Sequence, residues 1–391
     1  MSVSSLPFLH GALAAVLPKL AAWRRDFHAH PEAGWTEFRT AALIIRRLRE
    51  LGYAIRMGEA ACASDRRMGV PSSAVLAAAR ERALEHGADA ELVAGMGDGY
   101  TGFWADLDCG PGPVTAFRFD MDCNEVAECA EESHRPVREG FASRWPGLMH
   151  ACGHDGHAAV GLGLAEVLVS IRRHLRGRIR LIFQPAEEGA RGALPMSEAG
   201  AVDGVDVLFG FHIGFKAEGP GSLICGTQGF LATTKRDVLF SGVPAHAGAA
   251  PEEGKDALLA ACSAVVNLHA ISRNGKGGTR IAVGRLEGGE ARNVIPASAR
   301  LFMETRGETT ELDAYMTAES ERILRASADL WGCACEWRTV GNSSGGGSSP
   351  ELARLIATVA EAMGGWKTVI PMSGFGATED FACLMSRVQA S

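Results

Sequence analysis

The first half of the chain alternates apolar, β-rich runs with longer stretches of helical periodicity. Strand patterns occupy residues 102–105, 114–119, 178–184 and 205–211, and residues 158–175 show a helical pattern between two of them. Strands that alternate with helices in this way are typical of a parallel sheet covered by helices. We therefore predict an α/β fold with a mostly parallel central sheet.

The second half follows a different rhythm. Strand, helix and strand patterns recur twice between residues 229 and 341, which is typical of a small α+β domain. A Ser/Gly-rich stretch follows at residues 342–350, and a last helical pattern follows that stretch. We predict a first domain of residues 1–228 and 342–391, into which a second domain of residues 229–341 is inserted. An Ala-, Glu- and Arg-rich segment predicts a helical insertion at residues 57–100, with one exposed helix over residues 73–92.

Composition narrows the class of protein. Of the 391 residues, 47% are apolar, and the net charge is −7 without a basic stripe, so nucleic-acid binding is not expected. No stretch is apolar and long enough to span a bilayer. The ten cysteines show no disulfide spacing, which indicates reduced thiols and predicts a cytoplasmic protein.

Polar residues cluster where the predicted strands end. Residues 149–157 contain one thiol and three imidazoles, and Cys152 and His154 are of the types that a divalent ion such as zinc prefers. Each candidate alone has an ordinary structural explanation. Because the carboxyl ends of parallel strands meet at one edge of a sheet, we expect the candidates to converge on a metal site. They are Asp120, Asp122, Cys152, His154, Glu187, Glu188 and His212.

Four motifs give the chain a family resemblance. They are DMD at residues 120–122, HACGHDGH at 150–157, IFQPAEEG at 182–189 and NVIP at 293–296. With them, the chain resembles the aminoacylase/carboxypeptidase family of dimetal amidohydrolases, in the branch of hippurate and indole-acetyl-amino-acid hydrolases. The resemblance implies a zinc-peptidase-like catalytic domain with an inserted ferredoxin-like lid or dimerisation domain.

The same resemblance implies roles for individual residues. Two divalent ions, manganese or zinc, would be held by a set of metal ligands, and Glu187 would be the general base. From sequence alone, which glutamate of the pair is base and which is ligand stays open. Asp120 would orient the site, His246 and Asn293 would face the scissile carbonyl, and Arg306 would hold the substrate carboxylate. The implied metal ligands are Cys152, His154, Glu188 and His212.

The implied activity is hydrolysis of the amide bond of an N-acyl amino acid, with p-aminobenzoyl-glutamate as the expected substrate. The implied assembly is a homodimer or a hetero-oligomer with a homologous subunit. Two other interpretations remain open. One is a non-catalytic partner subunit, and the other is a thiol amidase with Cys152 as nucleophile.

One departure from the family pattern matters. The family has a further ligand histidine near its C-terminus, in a segment His-x-x-x-Phe, whereas no histidine follows His269 here. We therefore expect one metal position to be incomplete and activity to be low, unless His28, His150 or His157 fills that position.

Overall fold

The computed structural model of the chain describes residues 7–214, 216–217 and 219–391. These residues form two compact units. The first contains the described residues up to Gln228 together with Gly347–Phe375 and Asp380–Ser391, and the second contains Gly229–Gly346 and Gly376–Glu379. The predicted domain boundaries remain a prediction, because compactness does not test independent folding. The predicted first domain also includes residues 1–6, which lie outside the described residues.

The helices, in chain order, are α1 Pro7–Ala29, α2 Phe38–Glu50, α3 Ser73–Glu85, α4 Ala90–Gly95, α5 Arg135–Arg138, α6 His154–Ser170, α7 Ala193–Glu198, α8 Ala257–His269, α9 Thr310–Leu330, α10 Pro350–Met363 and α11 Phe381–Met385. The strands are β1 Ala54–Met57, β2 Phe103–Asp108, β3 Val114–Asp120, β4 Arg178–Gln184, β5 Val207–Gly210, β6 Ser222–Ile224, β7 Thr227–Phe230, β8 Ala232–Ser241, β9 Thr279–Gly288, β10 Ser298–Gly307, β11 Ala334–Ser343, β12 Gly346–Gly347, β13 Thr368–Ile370, β14 Ser373–Gly374 and β15 Gln389–Ala390.

A six-stranded sheet in the order β1-β2-β4-β3-β5-β15 organises the first unit. Strand β3 pairs in parallel with β4 and β5, and β5 pairs in parallel with β15. The pairs β1–β2 and β2–β4 are antiparallel. The sheet is therefore mixed but mostly parallel, which confirms the predicted fold class.

Both faces of this sheet are covered, which explains the nearly continuous apolar character of β4. On one face, Leu181 and Phe183 of β4 pack with residues of α2 and α6 in a large core. On the other face, Ile182 packs with residues of α7 and α11. Burial of each such side chain contributes about 1.5–3 kcal/mol to folding.

Helix α6 packs closely on both sides through glycines. A Cβ atom at Gly161 would lie 2.7 Å from the Phe183 ring, and one at Gly163 would lie 2.5 Å from Leu20 of α1. Neither position has room for a methyl group unless its neighbour moves. The two glycines therefore set how closely α6 approaches the sheet and α1.

The second unit contains the four-stranded antiparallel sheet β11-β8-β10-β9, with α8 connecting β8 to β9 and α9 connecting β10 to β11. This β-α-β-β-α-β order is the ferredoxin-like arrangement. Alternate strand residues such as Phe240 and Leu301 pack against both helices in one core. The separate antiparallel sheet confirms the predicted α+β unit.

The predicted exposed helix at residues 73–92 was wrong in one respect. The structure has two helices there, α3 and α4, because Gly87 adopts a positive φ of 87° and Asp89 caps the next helix. The Asp89 side chain accepts hydrogen bonds from two amides of the first turn of α4, which favours a new helix start.

None of the helices in the described ranges combines the length and the apolar character that crossing a bilayer requires.

Candidate metal centre

Neighbouring parallel strands bring the candidate residues to one edge of the sheet. Strand β3 ends at Asp120, β4 ends one residue before Pro185, and β5 ends two residues before His212. Helix α6 begins at His154, directly after Gly153, whose φ is 91°. The helical pattern predicted from residue 158 therefore starts four residues too late, and of Cys152 and His154 only Cys152 precedes the helix.

The structure brings six of the predicted site residues together, and one of them is Asp120, which shares a group of possible ligand atoms with His154 and His157. Possible ligand atoms of Cys152, His154 and His212 lie within 4.8 Å of one another, and those of His154, Glu187 and Glu188 do the same. Because His154 belongs to all three groups, it lies at the centre of the cluster. The Cys152 Sγ is 3.3 Å from the His212 Nε2.

Main-chain carbonyls orient both imidazoles of the cluster. The His154 Nδ1–H donates to the Asp122 carbonyl at 2.8 Å, and the His212 Nδ1–H donates to the Ile213 carbonyl at 3.0 Å. These bonds leave each Nε2 as the nitrogen that can bind an ion, and carbonyl partners of this kind fix the ring of a metal-binding histidine.

Two buried polar atoms fit a cation. Among the described residues, the His154 Nε2 and the Glu188 Oε1 are buried without a hydrogen-bond partner. They lie 4.0 Å apart, and the His154 Nε2 is also 4.0 Å from the Glu187 Oε2. Unsatisfied buried donors and acceptors are rare, so a ligand is the simplest explanation. Thiolate, imidazole and carboxylate together suit zinc or manganese.

Electrostatics at the centre favour positive charge. Burial alone would lower the pKa of His154, but the negative charge of Asp120 and bonding to Asp122 and Cys152 raise it well above its ordinary value. The carboxyl of Glu188 has a raised pKa, first because of burial and then because of the nearby charge of Asp122. A divalent ion would satisfy both groups and would replace the proton on His154.

Asp122 holds the glutamate pair in place. Its Oδ1 accepts from the Glu187 amide at 3.0 Å, and its Oδ2 accepts from the Glu188 amide at 2.9 Å. Sequence reasoning placed Asp122 at the site without a role, although an acid two residues beyond a strand end was the available signal.

Asp120 has other partners. It accepts from Arg118 Nη1 at 2.5 Å and from His157 Nδ1 at 2.5 Å. Burial alone would raise the pKa of Asp120, but the charges of His154, Arg118 and His157 lower it well below its ordinary value. The His157 Nε2 in turn accepts from the Ile213 amide at 2.9 Å, which fixes the segment after His212.

Of the three imidazoles considered as substitute ligands, two have both ring nitrogens engaged. His28 bonds Asp155 and Glu128, and His157 bonds Asp120 and Ile213. Both nitrogens of His150 are buried without a partner among the described residues, but His150 belongs to no cluster of ligand atoms there. Burial lowers the pKa of His150 to about 4.

Two predicted residues of the second unit lie next to each other. His246 forms a bridge with Val294, and the Ala247 amide donates to the Asn293 carbonyl. The His246 Nδ1 accepts from the Gly248 and Ala249 amides, both at 3.1 Å. The proton of a neutral His246 must therefore be on Nε2, which makes that nitrogen a donor.

Arg306 already has a partner within its own strand. Its Nε and Nη2 donate to the two carboxylate oxygens of Glu304 at 2.8 and 3.1 Å. The two side chains are 27% and 28% exposed, so the pair is accessible to solvent. A substrate carboxylate at Arg306 would have to compete with Glu304.

Arg191 connects the metal loop to the 57–100 segment. Its Nε and Nη2 donate to the Glu188 carbonyl, and its Nη1 donates to the Gly69 carbonyl at 3.1 Å. This contact links the predicted helical insertion to the backbone of one candidate ligand.

Comparisons with known proteins place this geometry in a family. The model of peptidase family M20/M25/M40 matches residues 116–391. Indole-3-acetyl-aspartic acid hydrolase of Enterobacter agglomerans is 44% identical over 386 residues, which cover 98% of this chain and 88% of that protein. One of the subunits of p-aminobenzoyl-glutamate hydrolase from Escherichia coli is 45% identical over 377 residues, covering 96% and 86%.

Solved structures agree. An aminobenzoyl-glutamate utilization protein from Klebsiella pneumoniae is 38% identical with a TM-score of 0.83, covering 98% of this chain and 92% of that chain. A Bacillus subtilis protein described as a dinuclear metal binding peptidase of the M20 family is 26% identical with a TM-score of 0.61, covering 96% and 88%.

The chain belongs to the M20 peptidase family. It is a metallo-amidohydrolase of the class that acts on N-acyl amino acids, with a candidate metal cluster at the edge of its central sheet. The resemblance inferred from the four sequence motifs is thereby confirmed.

Proposed function

We propose that the chain hydrolyses the amide bond between an acyl group and an acidic amino acid, with p-aminobenzoyl-glutamate as the first substrate to test. The support is the similarity to two relatives named for a glutamate and an aspartate conjugate, at 45% and 44% identity. Indole-3-acetyl-aspartate is the second candidate, since the two identities do not separate them.

The observation that carries the proposal is the pair of unsatisfied atoms, the His154 Nε2 and the Glu188 Oε1, beside Cys152 and His212. We assign these four residues as ligands of a dimetal site occupied by zinc or manganese. A bound divalent ion supplies Lewis acidity toward the amide carbonyl and toward water. The protein residues then have to move the proton.

Glu187 is the proposed base. The two glutamates are equally far from the His154 Nε2, so distance does not assign their roles. The unsatisfied Glu188 Oε1 supports Glu188 as the ligand, which leaves Glu187 to accept a proton from the attacking water and to return it to the leaving nitrogen. Asp120 and Asp122 act on the site by orienting His157 and the glutamate pair.

Three residues of the second unit complete the proposal. A neutral His246 carries its proton on Nε2 and is suited to donate to a carbonyl oxygen, and Asn293 supplies an amide from the neighbouring segment. Arg306 is proposed to bind a substrate carboxylate, because a guanidinium can grip both oxygens.

We further propose that a second copy of this chain packs against α8. Leu259 and Val266 are 42% and 71% exposed on this helix, and Cys262 lies exposed between them. Spacings of three and four residues place these side chains on one face. Val266→Lys should shift the molar mass measured by light scattering from dimer to monomer. If the chain instead assembles only with a homologous subunit, the purified parent and the Val266→Lys variant should both have the molar mass of a monomer.

The main experiment measures metal content and turnover together. The purified protein is loaded with zinc or manganese, and release of p-aminobenzoate or indole-3-acetic acid is followed with and without a chelator. We expect low turnover of at least one conjugate, loss of that turnover with the chelator and its recovery on adding metal. Metal binding without turnover of either conjugate would support a non-catalytic subunit. Turnover that survives metal removal but is lost in Cys152→Ala would support the thiol amidase.

A further inference from the structure

The loop that carries the glutamate pair is held by three consecutive amides. The Ala186 amide donates to the Glu37 Oε1 at 2.8 Å, and the next two amides donate to the two oxygens of Asp122. Ala186 has a φ of 50°, which an alanine rarely adopts. The surroundings therefore impose this backbone conformation, and Glu37 supplies the bond at the strained residue.

Glu37 itself is enclosed. It is 0% exposed and immediately precedes α2, and its Oε2 lies 2.6 Å from the Thr101 Oγ1. No lysine, arginine or histidine bonds to this carboxyl within the described ranges. A buried carboxylate without a cation is costly, and the group avoids the cost by staying protonated.

The groups around Glu37 agree with a neutral acid. Burial first, and then the negative charge of Asp122, raise the pKa of Glu37 to about 8. The thiols of Cys62 and Cys123 also interact with Glu37, and burial raises the pKa of each, that of Cys62 to about 12. None of these three groups is a cation that could stabilise a charged Glu37.

We propose that Glu37 is a positioning residue of the hydrolytic site, which holds the Glu187–Glu188 loop through Ala186 as an uncharged acid. A neutral Glu37 holds the loop without adding a further negative charge beside the base. The inference rests on the proposed role of Glu187. The chain separation of 149 residues between Glu37 and Ala186 explains why no local motif reveals it.

Two substitutions separate positioning from charge. Glu37→Gln keeps an acceptor for Ala186 and gains a donor for Thr101, so it reproduces the contacts of a neutral acid. Glu37→Leu has similar volume but leaves the Ala186 amide without an acceptor. Glu59→Gln, at an exposed position of the same unit, is the control.

We expect Glu37→Leu to lower kcat by about 10- to 100-fold, because a small displacement of a catalytic group costs that much. KM and bound metal should stay close to those of the parent. Glu37→Gln should restore kcat to within about threefold, because its hydrogen bonds are retained. An equal loss in both variants would overturn the uncharged role, and an unchanged Glu37→Leu would overturn positioning.

A stability measurement tests the protonation state without any substrate. A raised pKa in the folded state means that the unfolded chain ionises first, so the contribution of Glu37 to stability is present below about pH 4.5 and is lost as the pH rises through about 8. The Tm of Glu37→Gln minus that of the parent should therefore increase from about pH 5 to about pH 8. A constant difference would overturn the uncharged acid even if the protein hydrolyses no conjugate tested.

Discussion

The two units hold their candidate chemical residues in different ways. In the first unit, the side chains of Asp120 and His154 are 0% and 1% exposed, and each is held by a bond to a residue more than 30 positions away in the chain, Asp120 by His157 and His154 by the Asp122 carbonyl. In the second unit, His246 and Asn293 are exposed, and His246 is held by amides two and three residues away.

This difference separates two kinds of preparation for catalysis. A buried group with fixed hydrogen-bond partners keeps its geometry without substrate, because folding has already arranged it. An exposed imidazole on a local turn, such as His246, has its Nδ1 fixed as an acceptor, but an acceptor for its Nε2–H must come from a bound molecule. The first unit should therefore control metal binding and proton transfer, and the second should control substrate affinity.

Removing the proposed base should have the largest effect. Glu187→Gln cannot accept a proton, so kcat should fall by about 10²–10⁴-fold while bound metal is retained. The measurement is kcat with metal analysis of the same sample, and Glu59→Gln is the exposed control. If metal is lost instead, Glu187 is the ligand and Glu188 becomes the candidate base.

Removing the proposed thiolate ligand should come next. Cys152→Ser offers a much poorer ligand, so metal affinity should fall. Loss of a residue that only hydrogen-bonds a metal ligand lowers affinity by roughly 10- to 100-fold, and loss of a ligand itself should cost at least as much. Competition with a chelator gives the affinity, and Cys129→Ser, at an exposed position outside the proposed dimer face, serves as the matched control. Unchanged affinity would place Cys152 outside the ligand set.

A residue of the second unit should change substrate affinity instead. Arg306→Ala should raise KM about 10-fold for substrates with a free carboxylate, while kcat should change little. This factor corresponds to the lower end of the free energy of a hydrogen bond to a charged group, because Arg306 is partly exposed. The same substrate with its α-carboxylate amidated tests specificity, and Arg300→Ala is the control on the same strand. Equal effects on both substrates would leave Arg306 as the structural partner of Glu304.

The smallest expected effect is a difference between the two units in stability at low pH. Burial alone would raise the pKa values of Asp26 and Asp155 in the first unit, but bonds to His30, Arg39 and His28 lower both to about 2. Their stabilisation is therefore present above about pH 3.8 and is lost as the pH falls toward 2. Burial raises the pKa of Asp313 in the second unit, so its contribution to stability is retained in acid and is lost as the pH rises.

Limited pepsin digestion at about pH 3, with peptides identified by mass spectrometry, measures this difference. The first cleavages should fall in the first unit, and Asp26→Asn should reduce the difference between the units. Early cleavage confined to the second unit would contradict the assignment.

Sequence reasoning succeeded where a residue type follows directly from its place on a strand. The acids, thiol and imidazoles after β3, β4 and β5 were predictable because parallel strands deliver their ends to one edge. The possible Arg306–Glu304 pair was also accessible, since residues two apart on a strand share a face.

Other features could not be obtained from local pattern. The Glu37 side chain accepts from a main-chain amide 149 residues away, and the Asp122 side chain accepts from one 65 residues away. Only folding brings these groups together. The start of α6 at His154 was missed because a Gly-Cys-His-rich segment has weak helix propensity, whereas the positive φ of Gly153 and the packing of the helix decide the boundary.

Helix α6 links the packing at Gly161 to the position of His154 in the candidate metal centre. Gly161 is seven residues from His154, about 10 Å along the helix axis at 1.5 Å per residue. A methyl group at Gly161 would push against the Phe183 ring, and because a helix moves as a rod, the displacement would be transmitted to the imidazole at its first residue. We therefore expect a side chain larger than hydrogen at Gly161 to disturb the alignment of the His154 imidazole, although Gly161 belongs to none of the candidate ligand groups.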